Sequence, residues 1–301
     1  MRTVLAASAL AATLGVAVAA EPAVPDAAAH TAYWAKAEES YARTPRAVLK
    51  IDDAVYLKAG ETAGVVLKDD GRPHAVFTVN RTEGAALTVA YQGGDAIVVR
   101  EGQETRFTLD ATEHAPVADG IELRIQEVDI APGERGLRAT LYNQNHPKAA
   151  GFKGLAVYDF DPAAVVQARF EAEAQPEKVT FATSRGWFKD FTRVGHAVFA
   201  LESQEVRLPL YAGSTVPAEI TELSAFIRDS TTGTETYGVG RYLDVAVAGY
   251  PPATLTLNFN ELYNPLCARS PHFNCPVATD TLPMAMRAGE KAPPPGEGLG
   301  H

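Results

Sequence analysis

Side chains able to do chemistry crowd into one stretch of the chain. Glu235, Tyr237 and Arg241 lie within Thr-Glu-Thr-Tyr-Gly-Val-Gly-Arg-Tyr-Leu (234–243), and Asn258, Asn260 and Tyr263 within Leu-Asn-Phe-Asn-Glu-Leu-Tyr-Asn-Pro-Leu-Cys (257–267). An arginine among apolar neighbours can grip a carboxylate or phosphate through paired hydrogen bonds. A glutamate can serve as general acid or base when burial raises its pKa. Amides and phenols would orient the ligand. Glu235, Tyr237, Arg241, Asn258, Asn260 and Tyr263 are therefore the candidate pocket, suited to a small anionic or polar ligand. The same residues also have a purely structural reading. Arg241 would then be a buried cation bonded to carbonyls or to a carboxylate such as Asp229 or Glu290, because buried charge must be paired. Asn260 and Asn264 would hold the turn before Pro265, and Tyr263 would be core with its hydroxyl satisfied.

Other chemistry is not written locally. The seven histidines form no His-x-His or His-Glu-x-x-His pattern, so no metal is expected. There is no Gly-x-Ser-x-Gly elbow and no Walker motif. Gly238-Val239-Gly240 lacks the further glycine and helix that would cradle phosphate, so no cofactor is expected. Two glycines here read as a strand or bulge that something approaches closely.

The elements that must position these residues are strands. Ile121, Leu123 and Ile125 alternate with Glu122, Arg124 and Gln126. Similar runs occur at 75–80, 96–100, 106–110, 137–142, 154–159, 164–172, 178–183, 196–201, 205–211, 219–228 and 254–259. Turn signals such as Asp69-Asp70-Gly71 and Pro132-Gly133 separate them. Many short strands predict an all-β fold, an antiparallel sandwich or barrel, with two β lobes if a boundary falls near 143–151. One amphipathic helix is predicted over 30–43, where Tyr33, Trp34, Ala37 and Tyr41 make a docking stripe. The β-rich region runs from 44 to 290. Residues 21–29 read as a flexible leader and 291–301 as a disordered tail.

Strand parity divides the candidate site. An extended 235–243 would put Glu235, Tyr237, Val239, Arg241 and Leu243 on one face and would keep Glu235 about 20 Å from Arg241. In 254–260, Leu255, Leu257 and Phe259 form a core face. Thr256, Asn258 and Asn260 form a polar row, lining a cavity or facing water.

The N-terminus gives an address. Met1-Arg2, an apolar run over 4–19 and Val18-Ala19-Ala20 before Glu21-Pro22 have the form of a cleaved signal peptide. The run is short for a bilayer, which needs about 20 residues. A periplasmic or secreted protein with no membrane anchor after cleavage is expected. In such an oxidising space Cys267 and Cys275, eight residues apart among prolines, are expected to form a disulfide worth ~2–3 kcal/mol. The balance of 27 Lys+Arg against 37 Asp+Glu, net −10, gives no reason to bind nucleic acid or anionic lipid.

One further pattern names a family. Gly233-x-Glu235-Thr236-Tyr237-Gly238-x-Gly240-Arg241-Tyr242-Leu243, Phe259-Asn260-x-x-Tyr263-Asn264-Pro265-x-Cys267, Cys275-Pro276 and Ala288-Gly289-Glu290 resemble the signature of the bacterial domain of unknown function 1684. Gly136-Leu137-Arg138 and Phe152-Lys153-Gly154-Leu155-Ala156-Val157-Tyr158 resemble its middle section. The resemblance implies an all-β fold and brings no catalytic residues with it. Asn258 stands where that family usually has Asp, and Glu261 where it usually has a basic residue. Two functions follow as expectations. The first is a non-catalytic small-molecule-binding or structural protein of the cell envelope. The second is a hydrolase-like or isomerase-like enzyme with a polar pocket around Arg241. They part on whether Arg241 opens into a pocket or is sealed against carbonyls.

Overall fold

A computed structural model describes residues 25–296 and 298. The expected signal peptide lies outside them. Helix α1 (Ala27–Glu38) begins at Asp26, whose carboxylate accepts from the Ala29 amide at 2.8 Å. That cap satisfies one of the free donors of the first turn. The helix runs on through a wider turn over Glu39–Arg43. It therefore starts earlier than 30 and takes in the last residues of the expected leader.

Nine antiparallel strands form the first lobe: β1 (Ile51–Leu57), β2 (Thr62–Asp69), β3 (Pro73–Val79), β4 (Leu87–Tyr91), β5 (Asp95–Arg100), β6 (Gln103–Thr108), β7 (Glu113–Ala118), β8 (Ile121–Ala131) and β9 (Glu134–Asn143). They make two sheets, ordered β1-β9-β8-β7 and β3-β2-β4-β5-β6. Both sheets contribute to one core, in which Leu57, Val65, Val89, Leu123, Ile125, Leu137 and Leu141 are buried. On β8 the buried Ile121, Leu123 and Ile125 alternate with half-buried Glu122, Arg124 and Gln126, as a one-sided strand requires.

A four-residue helix, α2 (Pro147–Ala150), stands between the lobes. The second lobe contains β10 (Val165–Ala182), β11 (Phe188–Leu201), β12 (Gln204–Ala212), β13 (Glu222–Arg228), β14 (Arg241–Ala246) and β15 (Thr254–Asn258), in the order β14-β13-β12-β11-β10-β15. A two-residue β16 (Asp280–Thr281) lies parallel to β13. The end strands β14 and β15 come into contact, so the sheet is a nearly closed barrel. Its interior holds Phe170, Val194, Leu208, Leu210, Leu223, Leu243, Leu257 and Phe259. The expected strands 164–172 and 178–183 are one strand with a register break between Ala172 and Glu177. Gln175-Pro176 sits in that break, where a missing amide costs no ladder bond. Residues 154–159 make only an isolated bridge, Val157 to Glu290.

Outside the barrel a second cluster of rings packs edge to face: Phe181, Phe191, Tyr211, Phe226 and Tyr242. Tyr211 donates to Asp280 Oδ2 at 3.2 Å. Burial pushes the Asp280 carboxyl up to about 6, with the tyrosine hydrogen bond opposing it.

The aromatic stripe of α1 docks on the loop that follows β15. Trp34 Nε1 donates to the Asn260 carbonyl at 3.1 Å, Tyr33 to Glu261 at 3.3 Å and Tyr41 to Asn264 at 3.4 Å. Three ring donors thus satisfy three loop carbonyls that no strand pairs.

Two outcomes follow. Trp34→Ala should lower unfolding free energy by ~3–5 kcal/mol, and Trp34→Phe, which loses chiefly the hydrogen bond, by ~1 kcal/mol. Urea denaturation measures both; equal, negligible losses would mean that the helix does not dock. A raised carboxyl favours the protonated folded form, so Asp280 stabilises below its unfolded value of 3.8, and this is lost as pH rises through about 6. Asp280→Asn should flatten the melting-temperature profile across that window and leave the protein more stable than wild type at neutral pH. An unchanged profile would remove Asp280 as its source.

Candidate functional site

The signature residues occupy a turn, not an extended strand. Gly233, at φ 83°, donates to the Thr236 carbonyl at 2.9 Å, and the Thr236 amide donates to Thr231 at 3.0 Å. Gly240 sits at φ 99°, and a Cβ there would lie 2.7 Å from the Ile227 carbonyl. Glycine is required by both the conformation and the close approach. The extended reading of 235–243 therefore holds only from Arg241, where β14 begins. Local hydrogen bonds among Asp229, Thr231 and Thr236 compete with the strand and win.

Arg241 is 1% exposed. Its Nη2 donates to Asp229 Oδ2 at 2.9 Å and to the Met286 carbonyl at 2.7 Å. Its Nη1 donates to the carbonyl of Ala288 and, at 3.2 Å, to that of Glu290. Burial draws the guanidinium pKa down, and the Asp229 carboxylate opposes that. The Asp229 carboxylate also accepts from Thr231 and from the Met286 amide. A second buried pair lies beside this one. Glu290 accepts from the Asn264 amide at 2.8 Å and from Arg269 at 3.3 Å. Burial raises its carboxyl pKa, and Arg269 works against the rise.

The other candidates are distributed around these pairs. Asn258 accepts from the amide and side chain of Asn260 at 3.3 and 3.1 Å. Asn260 is fully buried; its side chain clasps the backbone of Asp161 with two 2.9 Å bonds. The polar row of β15 thus turns inward at its end, while Leu255, Leu257 and Phe259 form the core face. Tyr263 donates to Asp244 Oδ2 at 2.6 Å, and burial raises its pKa. Tyr237 packs its hydroxyl 3.9 Å from Cys267 Sγ and edges a cavity of about 330 Å³ shared with residues 293–296. Glu235 lies outside, held by Arg287 at 2.6 Å and by the Tyr158 hydroxyl at 3.0 Å. Arg287 keeps its carboxyl below the usual range. The structure brings Asn258 and Asn260 together, and it directs Arg241, Glu235 and Tyr263 to three different partners. Lys291 and Ala292 bond to Ala156 and Glu235 through their backbone amides, so order extends past 290 into the expected tail.

Cys267 and Cys275 are buried free thiols, and Cys275 donates to the Cys267 sulfur. That bond, with others from Ser184 and Tyr237, shifts the Cys267 thiol down; Cys275, the donor, is shifted up. Among the described residues no group of three or more His, Cys, Asp or Glu is placed to hold a metal ion.

The model of the family Protein of unknown function (DUF1684) matches residues 150–291. The chain belongs to that family. An uncharacterized protein of Haloarcula marismortui, known from a solution NMR structure, is similar at 30% identity over 47% of this chain and 78% of that one, with a TM-score of 0.40. Among curated proteins none matches. The matched segment covers the barrel and both buried ion pairs. Asn258 Nδ2 donates to Glu261 Oε1 at 2.7 Å.

Sequence reasoning missed Arg269, Asp244, Tyr158 and Arg287 as partners. Each is remote in sequence, and only the need of a buried charge for a counter-charge pointed toward such groups.

Arg241→Met should cost ~3–5 kcal/mol, because it strands the Asp229 carboxylate in the interior. Adding Asp229→Asn should recover part of the loss. Equilibrium unfolding of both variants checks this; wild-type stability in Arg241→Met would contradict the buried pairing.

Proposed function

We propose that the chain is an exported cell-envelope protein that binds a small molecule or serves as a structural element, without catalysing a reaction. One observation carries the reading: Arg241 has its partners inside the protein, at Asp229 and at three main-chain carbonyls. A catalytic group needs a donor, acceptor or lone pair free to meet the reacting atoms. A guanidinium occupied in this way has little left to offer a substrate, and the hydrolase-like or isomerase-like alternative loses its central residue. The leader pattern of residues 1–20 supports export. Adjacent thiols at Cys267 and Cys275 support a disulfide, formed by exchange with a disulfide oxidant of that compartment.

Intact-mass analysis of protein recovered from its own cells tests this. The expected mass begins at Glu21 and is two hydrogens short of the dithiol, with both regained on reduction. A chain that keeps Met1 and has two alkylatable thiols would overturn the export reading.

A further inference from the structure

A different set of polar groups gathers at the seam between the lobes. A cavity of about 330 Å³ lies between the start of β1, the β2–β3 turn, α2 and the loop after Ala268. Arg72, His146, Lys148, Arg269, Ser270 and His272 line it, with Asp52 as its only carboxylate. These residues come from four separate segments of the chain and meet only in the folded structure.

The donors and acceptors are unbalanced. The side chain of Asp52 is fully buried, and three of its four acceptor positions are taken. Its Oδ1 accepts from Arg72 at 3.1 Å, and its Oδ2 from the Ala75 amide and Asn143 Nδ2, both at 3.0 Å. His146 is buried, and its Nδ1 accepts from the Lys148 amide at 3.2 Å. That bond places the proton of the neutral ring on Nε2. The nearest charged partner of Nε2 is Asp52 Oδ1 at 3.9 Å, beyond hydrogen-bond length. Burial draws the His146 pKa down, so the neutral, Nε2–H form prevails at neutral pH. Lys148 makes no ion pair among the described residues. Arg72 uses one Nη on Asp52 and keeps the rest of its fork. The Ser270 hydroxyl has no hydrogen bond among the described residues, although Ser270 is buried.

We infer that this seam cavity binds a small oxyanion, the phosphate or carboxylate end of a metabolite-sized ligand, held by Arg72, Lys148, His146 Nε2–H and the Ser270 hydroxyl. Such a ligand supplies acceptors, which the lining lacks, and needs no donor of its own there. The volume is near the lower end of small-molecule sites, roughly 300–1,000 Å³. Arg72 and Arg269 have carboxylate partners in Asp52 and Glu290, so Lys148 is the cation of the lining left to meet an anion. The inference rests on the reading above in treating the protein as a binder. It differs in placing the ligand outside the family signature and in drawing three of its four ligand-holding residues from before residue 150.

Isothermal titration of the full mature chain with inorganic phosphate and, separately, with citrate, at constant ionic strength, tests it. Lys148 is exposed, so Lys148→Met should fold as wild type. Lys178→Met, at an exposed lysine paired with Asp190, controls for general charge. Saturable binding should weaken about tenfold in Lys148→Met, the loss of one charge-assisted hydrogen bond, and be unchanged in Lys178→Met. Tighter phosphate binding would identify a phosphate end, and tighter citrate binding a carboxylate end. No saturable binding of either anion, or equal weakening in both variants, would overturn the site. Native mass spectrometry separates that failure from failure of the binder reading. A small molecule retained by wild type and Lys148→Met alike would leave the protein a binder with its site elsewhere.

Discussion

One guanidinium pins the C-terminal segment to the barrel. Residues 282–290 carry almost no strand structure, yet Leu282, Met284, Met286, Ala288, Gly289 and Glu290 are buried, where unpaired carbonyls are costly. Arg241, at the first position of β14, supplies the missing donors to Met286, Ala288 and Glu290, and Asp229, just past β13, supplies the countercharge. The arrangement is weak evidence for high stability, because desolvating two charges offsets much of their attraction. It is strong evidence for a unique arrangement. A shifted C-terminal segment would strip Arg241 of its carbonyl acceptors and Arg269 of the Glu290 carboxylate.

The same logic joins three distant parts of the chain. The loop after β15 gives its carbonyls to Trp34, Tyr33 and Tyr41 of the N-terminal segment, and the amide of its Asn264 to Glu290. Arg269 then reaches back to Glu290 and lies over the ring of Tyr41. The family signature is thus a meeting point of helix, barrel and C-terminal segment. Most of its polar side chains are committed to partners inside the protein.

Much of the architecture was legible because strand parity reports burial directly. β8 and β15 place their apolar residues in the core as the alternation predicts. The aromatic stripe of Tyr33, Trp34 and Tyr41 was legible as a docking face, but its target was not, since hydrogen bonds to carbonyls leave no sequence pattern. That a buried Arg241 would need Asp229 or Glu290 followed from charge alone; Asp229 supplies its side chain and Glu290 its carbonyl. The turn at 230–240 misled because side-chain bonding by Asp229 and Thr231 overrode the alternation. The seam cavity left no local trace, its residues being separated by up to 220 positions between Asp52 and His272.

Amide hydrogen exchange across residues 282–291 tests the central claim most directly. A segment clamped by Arg241 should exchange only when the whole lobe unfolds, with protection equal to that of β11 and β12. Exchange at the rate of an exposed loop in the native protein would contradict the clamp and return Arg241 to the list of groups free to meet a ligand.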